Sequence, residues 1–553
     1  MRLLMAVAIV LLSTTSAMPQ EHAGACHGSE IGWVPRELLH RPISLRSGIG
    51  LVDEPVTTSS KEARAFYNQG LAYLHSFVFV EAARSFNEAL RHDPKLAIAH
   101  LGLARTYVHL DDREAAKREL EKARALQSEV SSREQRRIAI FTAQLTAVAD
   151  VDNKEKHLAY KKAIDDALAA DLDDPELWLW RGNAEEANAL GRGQRGGAAS
   201  IAFYERALQV RPGHFGAHHY LIHSYEFLAR IDEALAHGAV YAAAADAVAH
   251  AHHMYGHDLR RVGRIKDAIA AFERADRLER EYFARENVAR EVDWHHAHNL
   301  DLLAGSYRHM GKLRKAEELW RESFSIRPVK EGAAIAKMDL PAFLLSRGRN
   351  EDAAVAARTL TSSEYPSAQG IGYALLGEAV LAQGDLAAAE RHLAAAQKIR
   401  DAFAAESPKD KKMLQVSIDA LRGSILVRKG DREKGTALLE RVQATYRGLR
   451  DPDGWAQALF RLELIARQAR EAGDWKFAEF MAKQMFEHDP AYGGTHFALA
   501  AVAQHRGDQV TADREMDEAK RLWGEADDDL AELATVRKRT PSSITHTGSD
   551  VNH

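Results

Sequence analysis

From Lys61 to about residue 525, apolar side chains recur every three or four positions and nowhere alternate in the period of two that a strand needs. The pattern predicts one helix after another. A longer rhythm runs through it: Gly70, Ala82, Phe86, Ala89 and Pro94 stand 12, 4, 3 and 5 residues apart, with Tyr73 between. Gly256, Ala268, Phe272 and Ala275 repeat the spacing, as do Gly377, Ala389, Leu393 and Ala396. Ala304, Ala316, Trp320 and Pro328 follow it too, and Ala500, Ala512 and Ala519 near the end. Small residues at fixed helical positions let two antiparallel helices approach closely, and the following proline stops the second helix before the next unit begins.

The stretches NQGLAYLHSFVFVEAARSFNEALRHDP, YGHDLRRVGRIKDAIAAFERA and LLGEAVLAQGDLAAAERHLAAA carry the pattern most clearly, and they resemble the tetratricopeptide repeat. That resemblance implies an all-α, right-handed superhelix of tandem helix pairs over roughly residues 61–525. A narrower resemblance rests on RPISLRSGIGLVDEPVTTSSKEARAFYNQGLAYLHSF, HAHHMYGHDLRRVGRI and WHHAHNLDLLA. These look like a group of exported bacterial repeat proteins of unassigned activity, which implies export and fold but no reaction.

The chain divides accordingly into a signal peptide (1–17), an irregular lead-in (18–60), repeats (61–129), a variant helix pair without the small-residue signature (130–172), histidine-rich repeats (173–330), C-terminal repeats (331–530) and a disordered tail (531–553). GRGQRGG at 191–197 matches GxGxxG by letter, but a helical run precedes it where a dinucleotide fold requires a strand. The tail lacks apolar residues.

Composition adds three limits. A formal net charge of -5, with no basic stripe interleaved with aromatics, argues against a nucleic-acid surface, and Arg133, Arg136 and Arg137 read as a solvated helix face. Arg2, the apolar LLMAVAIVLL and the small polar STTSA form the order of a secretory signal with cleavage after Ala17, so the mature chain is expected in the periplasm or outside the cell, with no transmembrane segment left. Cys26 is the single cysteine, which excludes an intrachain disulfide; a lipid anchor there is the secondary reading of AGAC.

Thirteen of the 27 histidines fall between His214 and His309, where an even spread would put about five. Aligned on Ala229, Gly263 and Gly311, which end the first helices of three units, His219, His253 and Asp301 stand ten residues upstream. His223, His257 and Gly305 stand six upstream, and His250 and His298 thirteen upstream. These offsets share one helix face. Glu226, Arg260 and Arg308 lie three upstream on the same face, with Asn183 and Glu186 equivalent in the preceding unit. In the family that the chain resembles, this face lines the concave groove. His218, His252 and His295 fall one step off it and are expected at packing boundaries, His237 and His309 at the periphery, and His75, His92, His100 and His157 at the surface or core edge.

Three classes follow, the third being a structural spacer, which the clustering of ionisable groups on the groove face counts against. In the first, the groove is a protein- or peptide-binding scaffold: Arg260 and Arg308 take a carboxylate, Glu226 a cation, and Asn183, Glu186 and Asp301 complete the lining. In the second, a metal-binding protein or metal-dependent enzyme, His219, His223, His253 and His257 converge on one Zn, Cu or Ni ion, with His250, His298, Asp301 and Glu226 as further or supporting ligands. No complete catalytic motif is present: HMYGH lacks the glutamate of zinc proteases, and no GxSxG, phosphate loop or Cys/His pair occurs, so the reading is non-enzymatic.

Overall fold

The computed structural model describes residues 30–533 apart from 32–33, 151, 186–197, 403–407 and 450–451. The expected leader, Cys26, Glu186, the GRGQRGG stretch and residues 534–553 therefore lie outside the described residues. The fold is an all-α superhelix of antiparallel helix pairs. Among the described residues, strand pairing is confined to Glu30–Ile31 against Val34–Pro35.

The small-residue rhythm works as steric reasoning requires. Ala82, Ala89, Ala268, Ala275, Ala304, Ala316, Ala389 and Ala396 are all fully buried. A Cβ on Gly256 would sit 2.7 Å from Cε1 of Phe272, and one on Gly70 2.6 Å from Cε1 of Phe86. The aromatic of each second helix thus occupies the space left by the glycine of the first.

Ten pairs turn on a residue of positive φ two places beyond the first helix: Phe77, Asp111, Ala229, Gly263, Gly311, Gly348, Gly384, Gly430, Gly473 and Gly507. This left-handed residue lets the backbone reverse while the last carbonyls are still satisfied, as where Val78 N–H donates to the Tyr73 carbonyl at 3.0 Å. Seven of the ten are glycine. Phe77, with φ 58°, is the bulky exception, and its ring has a use described below.

The variant pair forms helices Ser132–Val148, opened by a capping box from Ser131 and Glu134, and Lys154–Ala170. Arg137 in it is buried rather than solvated: its guanidinium meets Glu54 at 2.8 Å and Asp174 at 3.0 Å. The periodicity registered the helix but not the strap packed on it.

That strap is the lead-in. Leu38, Leu39, Ile43 and Ile49 are buried, and the Gly48 carbonyl accepts from Ala247 N–H at 2.8 Å, tying residues near 48 to the repeats near 247. At the other end, the last repeats return against the middle ones. Arg308 pairs with Glu463, His309 Nε2 lies 3.1 Å from Asp489, and Arg347 takes Glu532 bidentately at 2.6 and 2.8 Å. The inner face of the middle repeats is thereby covered from both sides. Two large apolar clusters meet at the helix Ala249–Arg261, which gives Met254 to one and Leu259 to the other, and a small third one gathers Leu381, Ala389, Leu421 and Ile425.

Candidate metal centre

Three first helices carry the histidines: Phe215–Phe227, Ala249–Arg261 and Trp294–His309. Four-residue spacing puts His219 over His223 and, 34 positions on, His253 over His257. The structure does not bring these four to one point. It sorts them into two trios, each completed by the histidine thirteen places before the next turn: His219, His223 and His250, and His253, His257 and His298. In each trio one nitrogen per ring lies within 4.8 Å of the others. The middle helix serves both because positions 250, 253 and 257 lie on one stripe, and 250 is a turn nearer the preceding repeat.

In the first trio Nε2 of His219 stands 3.1 Å from Nε2 of His223 and 2.9 Å from Nε2 of His250. Three nitrogens at about 2.0 to 2.1 Å from one ion are themselves separated by a little over 3 Å, so this is close to the spacing a shared metal imposes. The opposite edges of the rings are held. His219 Nδ1 donates to the backbone carbonyl of His75 at 2.6 Å, and His253 Nδ1 donates to Oδ1 of Asn299 at 3.0 Å. Asn299 is itself oriented by donating from Nδ2 to the Phe272 carbonyl at 2.9 Å. A neutral imidazole whose Nδ1 carries the proton presents its Nε2 lone pair.

Glu226 stands behind both trios, 3.7 Å from Nδ1 of His223 and 3.4 Å from Nδ1 of His257. Asp258, fully buried beside it, has its carboxyl pushed well above the usual range by burial and then by the charge of Glu226. His219, His250, His253 and His257 are all held well below the ordinary imidazole value by burial and by one another, and burial takes His223 down to about 3. The rings are neutral, which is the ligating form. Both nitrogens of His257 and Nδ1 of His250 are buried without a hydrogen-bond partner, and an ion bound at His257 would give one of these atoms a partner.

The remaining site candidates fall elsewhere. Arg260 and Arg308 are 3% and 1% exposed, so neither faces an open groove. Arg308 lies 3.8 Å over the ring of Phe460, and Arg260 5.1 Å over that of Trp455. Burial brings Arg260 down to about 10. These rings belong to the returning C-terminal repeats, a long-range contact that the local pattern of the middle repeats does not encode. Asn183 accepts from Tyr204 Oη at 2.6 Å, away from the trios, and Asp301 is half-buried near Lys337.

Three surroundings were not expected. His75 is interior: its Nε2 and that of His214 meet one oxygen of Glu176 at 2.9 and 3.0 Å, which docks the first repeat on the first histidine helix. His309 is equally buried and held by Asp489. His295 is interior too, stacked on His250 with centroids 4.0 Å apart. Phe77, projected inward by its strained turn, lies 4.5 Å from His219 and 5.8 Å from both His223 and His250, roofing the first trio. Only WHHAH, where ring-bearing residues crowd one turn, offered a sequence signal for His295.

Residues 78–132 match the tetratricopeptide repeat family. No curated protein matches the chain. Among solved structures, a tetratricopeptide repeat protein from Parabacteroides merdae is similar at 15% identity and TM-score 0.34, over 50% of this chain and 98% of that one. The human IFIT1 dimer with PPP-AAAA is similar at 13% identity and TM-score 0.38, over 77% and 90%. Yeast Tom70 is similar at 14% identity and TM-score 0.29, over 86% and 95%.

Proposed function

From the tetratricopeptide repeat matched at residues 78–132 and the helix pairs that continue it, we propose that the middle repeats hold two transition-metal ions, one in each histidine trio. One observation carries the reading: His219 Nε2 lies 3.1 and 2.9 Å from Nε2 of His223 and His250, with the His219 ring fixed from behind by the His75 carbonyl, in slots that the next repeat reproduces. Six imidazoles without a thiolate suit Zn(II), Cu(II) or Ni(II), each trio leaving a position for water or a small ligand. Glu226 fits as the shared outer carboxylate of both ions. Repeat solenoids also supply extended surfaces for protein partners. That scaffold role belongs to the outer surface here, because Glu226, Arg260 and Arg308 are interior. Export by the N-terminal apolar run is part of the same reading, since periplasmic metal supply would load such sites.

The test is elemental analysis of full-length protein purified without a polyhistidine tag, with the melting temperature followed as Zn(II) or Cu(II) is returned to stripped protein. Two ions per chain are expected, falling to one in both His219→Ala and His257→Ala. Substoichiometric metal together with an unchanged melting temperature would overturn the proposal, because a ligand bound only by the folded state must stabilise it.

A further inference from the structure

Beside the first trio lies a cavity of about 350 Å³, lined by Phe77, Phe79 and Leu278 together with charged side chains such as Glu81, Arg274 and Arg285, with His250 at its edge. On its wall Glu279, Asp293 and His295 each bring one ligand-type atom within 4.8 Å of the others. None of these three belongs to the histidine trios, and no repeat slot predicts them.

Two features separate this group from an ordinary acidic cluster. The residues Glu279 and His295 are 3% and 4% exposed, and Oε2 of the one and Nε2 of the other are buried with no hydrogen-bond partner. Asp293 caps the helix Trp294–His309 with Oδ1, which accepts from His295 N–H at 2.9 Å, leaving its second oxygen for another partner. Nor do nearby arginines neutralise the acids. Arg46 and Arg285 pair with Glu286 at 2.8 and 3.0 Å, and Arg274 with Asp246 at 3.5 Å. Arg280 is engaged by Asp276 and Glu322 at 2.9 and 2.8 Å. Two carboxyls and an imidazole therefore share a buried corner in which none of these arginines forms an ion pair with them, and Arg280 and Lys330 act on Glu279 and His295 through space only.

We infer that Glu279, Asp293 and His295 form a third metal site, distinct from the histidine trios, for a divalent ion of oxygen preference such as Mn(II) or Fe(II), with its remaining coordination positions open to the cavity. Two carboxylates and one neutral imidazole carry two negative charges, which one dication neutralises in full, and the oxygen-rich set discriminates against the softer ions that three imidazoles favour. Three protein ligands leave three positions on a six-coordinate ion, beside a cavity of about 350 Å³, large enough for a small molecule. A bound ligand with an oxygen donor on the ion would lay its apolar body along Phe77 and Phe79, next to His250.

The experiment titrates Mn(II) into full-length protein whose trios are already filled with Zn(II), reading free Mn(II) by its electron paramagnetic resonance signal. One Mn(II) per chain is expected. Glu279→Gln and Asp293→Asn should each weaken it by at least about tenfold, while His219→Ala and His257→Ala leave it in place. Asparagine retains the helix cap, so Asp293→Asn remains informative if Glu279→Gln misfolds. Zinc content is measured on the same samples: two Zn(II) with no Mn(II) overturns this inference alone, and loss of zinc with Mn(II) retained overturns the trios alone. Mn(II) binding indifferent to both carboxyl variants also overturns the site.

Discussion

His219 donates from Nδ1 to the backbone carbonyl of His75, 2.6 Å away in space and 144 residues earlier in the chain. The first repeat therefore sets the tautomer of a ring in the histidine region, and Glu176 sets the first repeat by holding His75 and His214 at 2.9 and 3.0 Å. Glu176→Ala strands two buried imidazoles and should cost about 3 to 5 kcal/mol. Because the carbonyl of His75 touches the first trio only, metal should fall from two ions to one per chain. Loss of both ions at equal occupancy would show that the trios are not separately supported.

The repeat fold was legible because each pair is local: Gly256 and Phe272 meet within one unit, and the small-residue rhythm records that meeting. The histidine slots were legible for the same reason, since ten, six and thirteen residues before a turn is a statement about one helix face. What the rhythm could not supply was how neighbouring helices rotate against each other. That rotation gives His250 to the preceding pair and His298 to the following one, so a single expected centre becomes two. Nor could it supply contacts across the array, which bury Arg308 on Glu463 and His75 on Glu176.

Phe77 and Ala229 share a φ of 58° at equivalent turns but differ in surroundings. Ala229 is exposed, so Ala229→Gly removes strain alone and should stabilise by about 0.5 to 1 kcal/mol. Phe77 is buried on three histidines, and Phe77→Gly should destabilise by about 2 to 4 kcal/mol, since the lost packing outweighs the relieved backbone. Denaturant unfolding of both variants measures the pair. Stabilisation by both would mean that the ring does not roof the trio.

Acid should destabilise the protein even apart from any metal. Burial lowers His237 and His488 from 6.5 to about 4, and His488 Nε2 donates to the Trp455 carbonyl at 2.8 Å. Above pH 6.5 these groups are neutral folded or unfolded and their full contribution is present. Between pH 6.5 and about 4 the unfolded chain takes up protons that the folded chain refuses, and stability falls by up to about 1.4 kcal/mol per pH unit for each group. Calorimetry of metal-free protein from pH 7 to 5 should show a falling melting temperature, less steep in His488→Gln. A flat profile would contradict the burial of these rings.

Glu226 faces His223 with one oxygen and His257 with the other, and is the carboxylate that stands beside both trios. Glu226→Gln keeps the shape, but removes the charge that favours a proton on each Nδ1 and so the electron density offered at each Nε2. Both ions should weaken together, by about 10- to 100-fold each, in competition with a chromophoric chelator. His219→Ala, by contrast, should weaken one ion only. Asp258→Asn is the control: its carboxyl already carries a proton, so the amide replaces one neutral group by another, and affinity should stay within about threefold of the parent, a shift of roughly 0.7 kcal/mol. Equal losses in Glu226→Gln and Asp258→Asn would assign the effect to disturbed packing of the buried pair, and a loss confined to one ion in Glu226→Gln would break the symmetry on which the paired centre rests.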